Sequence, residues 1–418
     1  MWSCHLFDTV TGLLGEPIDI PAFTWSMDVN ICTLNTTREK RFADGSLTGL
    51  TLPWSAVPGA SMDAKLRALA SYRRSLLVSW REQDGTELPV IAGAIGERKD
   101  SRADTTFDIL SPYEFLDRRV LVREGAFGAV RTTAENDQQQ VVDVHATQDT
   151  IHYQGLSQRA IACDVIRRCT EGKPGGKLPI DLPYLGETAV HTGSDGSPNQ
   201  NYWRDYHGFN VANNSCKAIL LDLAKTSYGP DMTFRPYMSD ETHVRYRFVA
   251  GSDWEPYLHQ DGIVPTLTCY RDGGTLQDAS MDHDGPTMRI FGTGNGSDES
   301  MQCRLAQDLS LVQQRDPWPL MELARADTNL TARSVGPVYD GMLAQKARPI
   351  MQLSGTMTPG VMGAPRMGTI WPGEVVDVDM HDFPGVPDGT YPMRIMQMSG
   401  DASKQVKLLF DIYEDTLW

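Results

Sequence analysis

Residues able to carry chemistry occur along this sequence, but none stands in a spacing that a reaction needs. Phe291-Gly292-Thr293-Gly294-Asn295-Gly296 is rich enough in glycine to suggest a phosphate-cradling loop. It lacks the Lys-Ser/Thr of a Walker loop, and Ser297 occupies the place of the third glycine in a dinucleotide fingerprint, so it reads as a loop at a strand end. Asp282-His283-Asp284 offers metal-ligating side chains without an H-x-x-x-H or H-x-E spacing, and acidic loop residues of this kind are ordinarily solvated. A loose calcium site among Asp-rich loops fits better than a transition-metal site, because irregular loops supply oxygen ligands. No G-x-S-x-G nucleophile elbow is present. The seven cysteines (Cys4, Cys32, Cys163, Cys169, Cys216, Cys269 and Cys303) are scattered, odd in number and free of any C-x-x-C knuckle, so they read as buried or half-buried free thiols. Paired carboxylates for glycoside cleavage leave no sequence signature, and among 54 acidic residues no pair stands out. The run Tyr202-Trp203-Arg204-Asp205-Tyr206-His207 is either a carbohydrate- or partner-binding loop or the aromatic anchor of a long loop on the module beneath it, the anchor being the simpler account. No catalytic, cofactor-binding or metal residue is therefore assigned, and a non-enzymatic protein is expected.

Bulk properties narrow the class. At 418 residues the chain exceeds one ordinary core, and two to four domains are expected. No uninterrupted apolar stretch approaches the roughly 18 residues of a membrane helix, and the start MWSCHLFDTVTG lacks the basic and apolar regions of a signal peptide. Folding in a cytoplasm is the expectation. The formal net charge is −16, from 54 acidic and 38 basic residues, which argues against gripping nucleic acid, since phosphate binding needs clustered Lys and Arg. The same charge suits a surface that nucleic acid must pass without sticking, and it equally suits ordinary solubility.

The elements that would position these residues are mostly strands. Asp19-Ile20-Pro21 and Phe23 to Val29 alternate as half-buried strands do. Ser61 caps a short helix with Met62, Leu66, Leu69 and Ala70 on one face and Arg73 and Arg74 in its last turn. Strands follow at Leu76 to Glu82 (Leu76, Val78 and Trp80 on one side), Leu88 to Glu97 beyond an Asp84-Gly85 turn, and Thr105 to Leu110 beyond a polar turn from Arg98 to Asp104. The middle changes character. A polar stretch from Glu135 to Asp149 precedes a helix with Ile161, Val165, Ile166 and Cys169 on one face, ended by Gly172. Lys173 to Asn201 is a long Gly/Pro/Asn-rich loop. A second helix starts near Asn214, and a hairpin joins Asp231–Tyr237 to His243–Ala250. In the last third a helix is expected within Thr331 to Ala347, then strands from Pro349 to Leu353, Glu374 to Met380 and Tyr391 to Ser399. A final strand follows, with Val406, Leu408, Phe410 and Ile412 on one face. The fold class is α+β and mostly β, divided as residues 1–122, an α+β module at 123–255 containing the long loop 173–207, and 256–418 with additional strands and loops.

The two ends resemble each other. Val90 to Ile95, a turn with Asp100-Ser101, and Thr105 to Ile109 match Tyr391 to Ile395, a turn with Asp401-Ala402-Ser403, and Leu408 to Ile412, each hairpin being preceded by a helix and another strand. The letters are generic to hairpins; the shared order of elements is the stronger sign. Two similar modules per chain suggest that a trimer would present six copies of one module and could stack on a hexameric ring.

The chain resembles the tail-hub (baseplate-hub or minor tail) proteins of siphophages, particularly those of actinobacteria. The resemblance is carried by the opening Trp2 to Asn30 with Pro21-Ala22-Phe23-Thr24-Trp25-Ser26, and by Pro89 to Ile95 followed by Ser111-Pro112-Tyr113-Glu114-Phe115-Leu116. Gly229 to Tyr237 and Asp388 to Ile395 through Ser399-Gly400-Asp401 extend it across nearly the whole chain, through short motifs without a catalytic signature. It implies a homotrimer at the tail tip, with two tube-like β-barrel domains per chain forming a pseudo-hexameric ring under the distal tail protein. The tape measure protein and tip fibre or spike proteins are the implied partners, and viral DNA passes the lumen without specific binding. Family members often carry a C-terminal hydrolase or receptor-binding extension. This chain ends at Trp418, after the last tube-like strand, so such an activity is expected in another protein. The alternatives are a hexameric distal tail protein, a tip cell-wall hydrolase, and a glycan-binding protein centred on Lys173–His207 and Trp203.

Overall fold

In a computed structural model of the chain, residues 2–414 are described except 30, 36–49, 83, 126, 128–129, 136–140, 146–149, 190–203, 225–228, 261, 329, 331, 333–334 and 362. The fold is mostly β with few helices. In the first third, strands β1 (Trp2–Asp8), β2 (Leu14–Pro17), β3 (Thr24–Asp28), β4 (Ile31–Asn35) and β5 (Leu50–Pro53) precede helix α1 (Met62–Ala68). Strands β6 (Arg74–Arg81), β7 (Glu87–Asp100), β8 (Asp104–Leu110) and helix α2 (Pro112–Leu116) complete that third. The middle holds β9 (Val130–Glu135), β10 (Val141–His145), β11 (Ile151–Tyr153), α3 (Gln158–Cys169), β12 (Ile180–Asp181), β13 (Arg204–Tyr206), α4 (Cys216–Ala224), β14 (Met232–Met238) and β15 (Val244–Ala250). The last third runs β16 (Thr266–Tyr270), β17 (Gly273–Gly274), β18 (Gln277–Asp284), β19 (Arg289–Thr293), β20 (Cys303–Gln307), β21 (Glu322–Ala326) and α5 (Val335–Lys346). It ends with β22 (Ile350–Met357), β23 (Val375–Met380), β24 (Gly389–Asp401) and β25 (Val406–Glu414).

The two ends share a strand order. The first contains the neighbours β2-β1-β6-β7-β8-β5, and the last β17-β16-β23-β24-β25-β22. Each has one long strand that changes partner midway. In β7, Glu87 to Ala94 pair with β6, and Ala94 to Asp100 with β8. In β24, Gly389 to Arg394 pair with β23, and Ile395 to Gly400 with β25. The copies differ where β1 meets β6 antiparallel while β16 meets β23 in parallel. Hairpin β3–β4 lies between them: β4 pairs with β8, and β3 with β24 from Asp28↔Gln397 to Thr24↔Asp401. A 15-stranded sheet results, and its hydrogen bonds trace no closed barrel among the described residues.

Alternation decides what each face buries. On β6, Leu76, Val78 and Trp80 enter a core that also holds Leu267, Val376, Ile395, Leu408 and Phe410 from the other end of the chain. The neighbouring Leu77, with Phe7 and Ala92, faces the opposite way, into a second core with Ile161, Val165, Leu220, Phe234 and Phe248. One sheet thus serves two cores, which is why β6 is buried almost continuously.

Several expectations need correction. Helix α1 ends at Ala68, its Met62 and Leu66 are exposed, and only Leu69, just past its end, is buried. Arg73 and Arg74 are not in its last turn; Tyr72 takes a left-handed φ of 60° and turns the chain into β6. The polar turns of both long hairpins are shorter than expected, because β7 and β24 run on to Asp100 and Asp401 to reach their second partners. Within the polar stretch, Val141 to His145 form β10 and pair with β9. As expected, a helix and a further strand precede each long hairpin, but the helices sit differently: α1 lies between β5 and β6, whereas α5 precedes β22 and packs on β19 and β20. With β19 to β21, α5 forms an inserted unit within 256–418, with sheet order β20-β19-β21 and its own small core.

Candidate functional site

The segments with chemical promise are held by ordinary structural bonds. Phe291, Gly292 and Thr293 end strand β19, and the loop beyond it spends its amides on backbone carbonyls: Gly294 donates to Gln302 at 2.7 Å and Asn295 to Leu330 at 2.7 Å. Those groups are not aimed outward as a phosphate cradle requires. Gly292 has a packing role, because a Cβ there would stand 2.1 Å from Tyr339 Cδ2. Asp282-His283-Asp284 lies in strand β18 opposite Gln352, Met351 and Ile350, not in a loop, so the two carboxylates face one way and His283 the other. Among the described residues no three His, Cys, Asp or Glu side chains converge as metal ligands.

Arg204, Asp205 and Tyr206 form β13 against β11. The Tyr206 ring meets Tyr153 edge-on at 6.0 Å, and Asp205 reaches His152 at 2.6 Å, so this part of the aromatic run anchors its loop. Tyr202 and Trp203 lie outside the described residues, as do the side chains of Cys32 and Ile412. The other six cysteines are free thiols, five of them buried; Cys303, contrary to expectation, is exposed, because it sits on an uncovered sheet face. No described helix is long and apolar enough to cross a membrane.

Contacts that sequence reasoning did not anticipate hold the modules together. Trp2 meets Trp80, Trp25 and Phe23 edge-on at 5.0, 5.5 and 5.8 Å, and its Nε1 donates to the Ser403 carbonyl at 2.7 Å, tying the start of the chain to the β24–β25 turn. The tryptophans at alternate strand positions were a usable signal for this. Elsewhere, Arg394 on β24 pairs with Asp231 at the start of the middle hairpin and lies 4.4 Å over the Tyr257 ring. Burial, the larger influence, holds the Asp231 carboxyl above its ordinary range, and Arg394 draws it back. Arg235 on β14 pairs with the buried Glu374 at 2.8 Å. Partners this far apart leave no sequence signal. A cleft of about 660 Å³ opens at this junction, between Arg159, Tyr184, Arg235, Arg247, Tyr257 and Trp371. Its cations are largely matched by acids, as in a structural seam: Arg159 donates to Glu187 at 2.6 Å, beside the Arg235–Glu374 pair.

No protein-family model matches the chain, and no curated protein matches it. Solved structures with a similar course along the whole chain do exist. They include the 43 kDa tail protein of prophage MuSo2 from Shewanella oneidensis, 10% identical, covering 99% of this chain and 98% of that one with a TM-score of 0.46. A tail protein from Neisseria meningitidis MC58 is 11% identical over 100% and 98% of the two chains, with a TM-score of 0.43. A chain of the phage P2 baseplate, in its activated conformation with calcium, is 8% identical over 99% of each, with a TM-score of 0.36. The structural neighbours are phage tail and baseplate proteins together with proteins of type VI secretion and of a PdpA-VgrG complex. They do not bear on the actinobacterial affiliation.

Proposed function

We propose that this chain is a structural, non-enzymatic virion protein of a phage tail tip. Three copies form a hub ring in which the two sheet modules of each chain act as tube-like barrel domains, six in all, stacked under the distal tail protein. The tape measure protein and tip fibres or spikes are its other partners, and the ring is assembled in the host cytoplasm. Residues 1–122 and 256–418 supply the two tube domains, and 123–255 the module that braces them.

The observation that carries this reading is the repeated strand order, with β7 and β24 each changing partner midway. Two like modules fused in one chain let a three-fold assembly offer six near-equivalent contacts to a six-fold ring. Native mass spectrometry of the purified protein tests it. A species of three times the 46.4 kDa chain mass is expected. Six copies would instead indicate the distal ring, and a monomer at all concentrations would overturn both.

A further inference from the structure

The inserted unit between β18 and β22 covers only one side of its sheet. Register and alternation place Ile290, Gly292, Ala306 and Leu323 on the side of α5, where Tyr339, Leu343 and Ala347 close the core. The other side carries Phe291 between Leu305 and Ala324, and Thr293 between Cys303 and Ala326. It is open: Phe291 is 43% and Leu305 40% exposed, and Cys303, Ala324 and Ala326 are exposed with them. Exposed Met301, Leu320 and Met321 flank the unit's strands. The charged pair on this face, Arg289 and Glu322 at 2.9 Å, neutralises itself at one end, with the Arg289 guanidinium 5.0 Å over the Phe291 ring.

We propose that this open face is a contact with a second copy of the chain, buried when the subunits assemble. The inference rests on the trimeric reading above and adds the surface that assembly uses. Three observations select a second copy as the occupant. Among the described residues the unit's own core has six buried side chains, far fewer than an independent domain needs, so its other face gains from permanent cover. Copies that each carry −16 repel, and they meet most cheaply where the surface holds no net charge, as here. Finally, three strands of five residues span roughly 240 Å², well under the ~800 Å² that each partner contributes to a stable complex. A face that small holds a neighbour already brought close by other contacts, which a ring of copies provides.

The native thiol on this face makes the test direct. Wild-type protein is treated with N-ethylmaleimide as the assembled species and as the monomer at high dilution, and modification of Cys303 is followed by peptide mass. Cys303 is expected to react about tenfold more slowly in the assembly. Phe291→Asp and Leu305→Asp are expected to raise the concentration needed for assembly by about tenfold each, with unchanged circular dichroism. A trimer whose Cys303 reacts at the monomer rate overturns the contact and leaves the trimer standing. A chain that never associates overturns the trimer reading and this inference together. Protection in an assembly of six overturns the trimer alone. The wild-type labelling decides the matter even if both variants fail to fold.

Discussion

Glu187 shows what single residues contribute here. It lies in a turn after β12, yet its carboxylate accepts from Arg159 Nε and from Ser157 Oγ, both at 2.6 Å, and so ties that turn to the first turn of α3. The Arg159 guanidinium, foremost, and the Ser157 hydroxyl hold the Glu187 carboxyl below the usual glutamate range. A depressed folded-state value gives stability that is fully present above the ordinary glutamate range and is lost as the pH falls through the lowered value. The protection of α3 amides, taken relative to the intrinsic exchange rate at each pH, is therefore expected to fall as the pH drops below that range, and Glu187→Gln is expected to remove this part of the pH dependence. An unchanged profile in the variant would show that the pair contributes nothing. The sequence offered no sign of this link, because Glu187 lies about 30 residues beyond Ser157 and Arg159 and is brought near by the loop's path.

At the scale of elements, the join between β3 and β24 decides whether the ends of the chain act as one body. β3 is a central strand with β4 on one side and β24 on the other, so every backbone N–H in it has a partner to lose. Ser26→Pro, in the middle of that ladder, removes one donor and leaves a carbonyl unmatched, a cost of about 1–3 kcal/mol. Differential scanning calorimetry is expected to show the transition at lower temperature and split in two, as the first and last modules uncouple. A single transition at the wild-type temperature would mean that the shared core alone couples them. The strands themselves were legible: alternation in Leu76 to Trp80, Val376 to Met380 and Val406 to Phe410 marks half-buried strands wherever they end up. Less legible was the partner change in β7 and β24, which lengthens both strands past the polar residues that seemed to end them. Strands β19 to β21 escaped notice because each is only five residues long and shows little apolar alternation, one side of their sheet being uncovered.

For the molecule as a whole, charge is the property with the longest reach. Three copies carry 3 × −16 = −48, and a lumen lined by part of that would repel the backbone of a passing duplex. The purified protein is expected to leave duplex DNA unshifted in a gel at about 50 mM salt, where even modest basic patches bind. Retention that weakens steeply with added salt would reveal a basic lining and sink the idea of a non-adhesive channel. The module seams follow the opposite rule. There Arg394 meets Asp231 and Arg235 meets Glu374, so charges that are sparse and matched inside the subunit are left in excess on its outside.

The sequence by itself determined the mostly β class, the two hairpin regions that echo each other, the helices α3 and α4 with their inward faces, and the absence of any spacing that chemistry would need. These are local properties, written in period-two and period-3.6 patterns, caps and turns, and they survive whatever the chain packs against. Only the tertiary structure decided that β3 zips the two ends into one sheet, that β6 feeds two cores at once, and that a short inserted sheet keeps one apolar face open. Each depends on which distant strand arrives beside another, and backbone hydrogen bonds between strands carry no residue identity for the sequence to display.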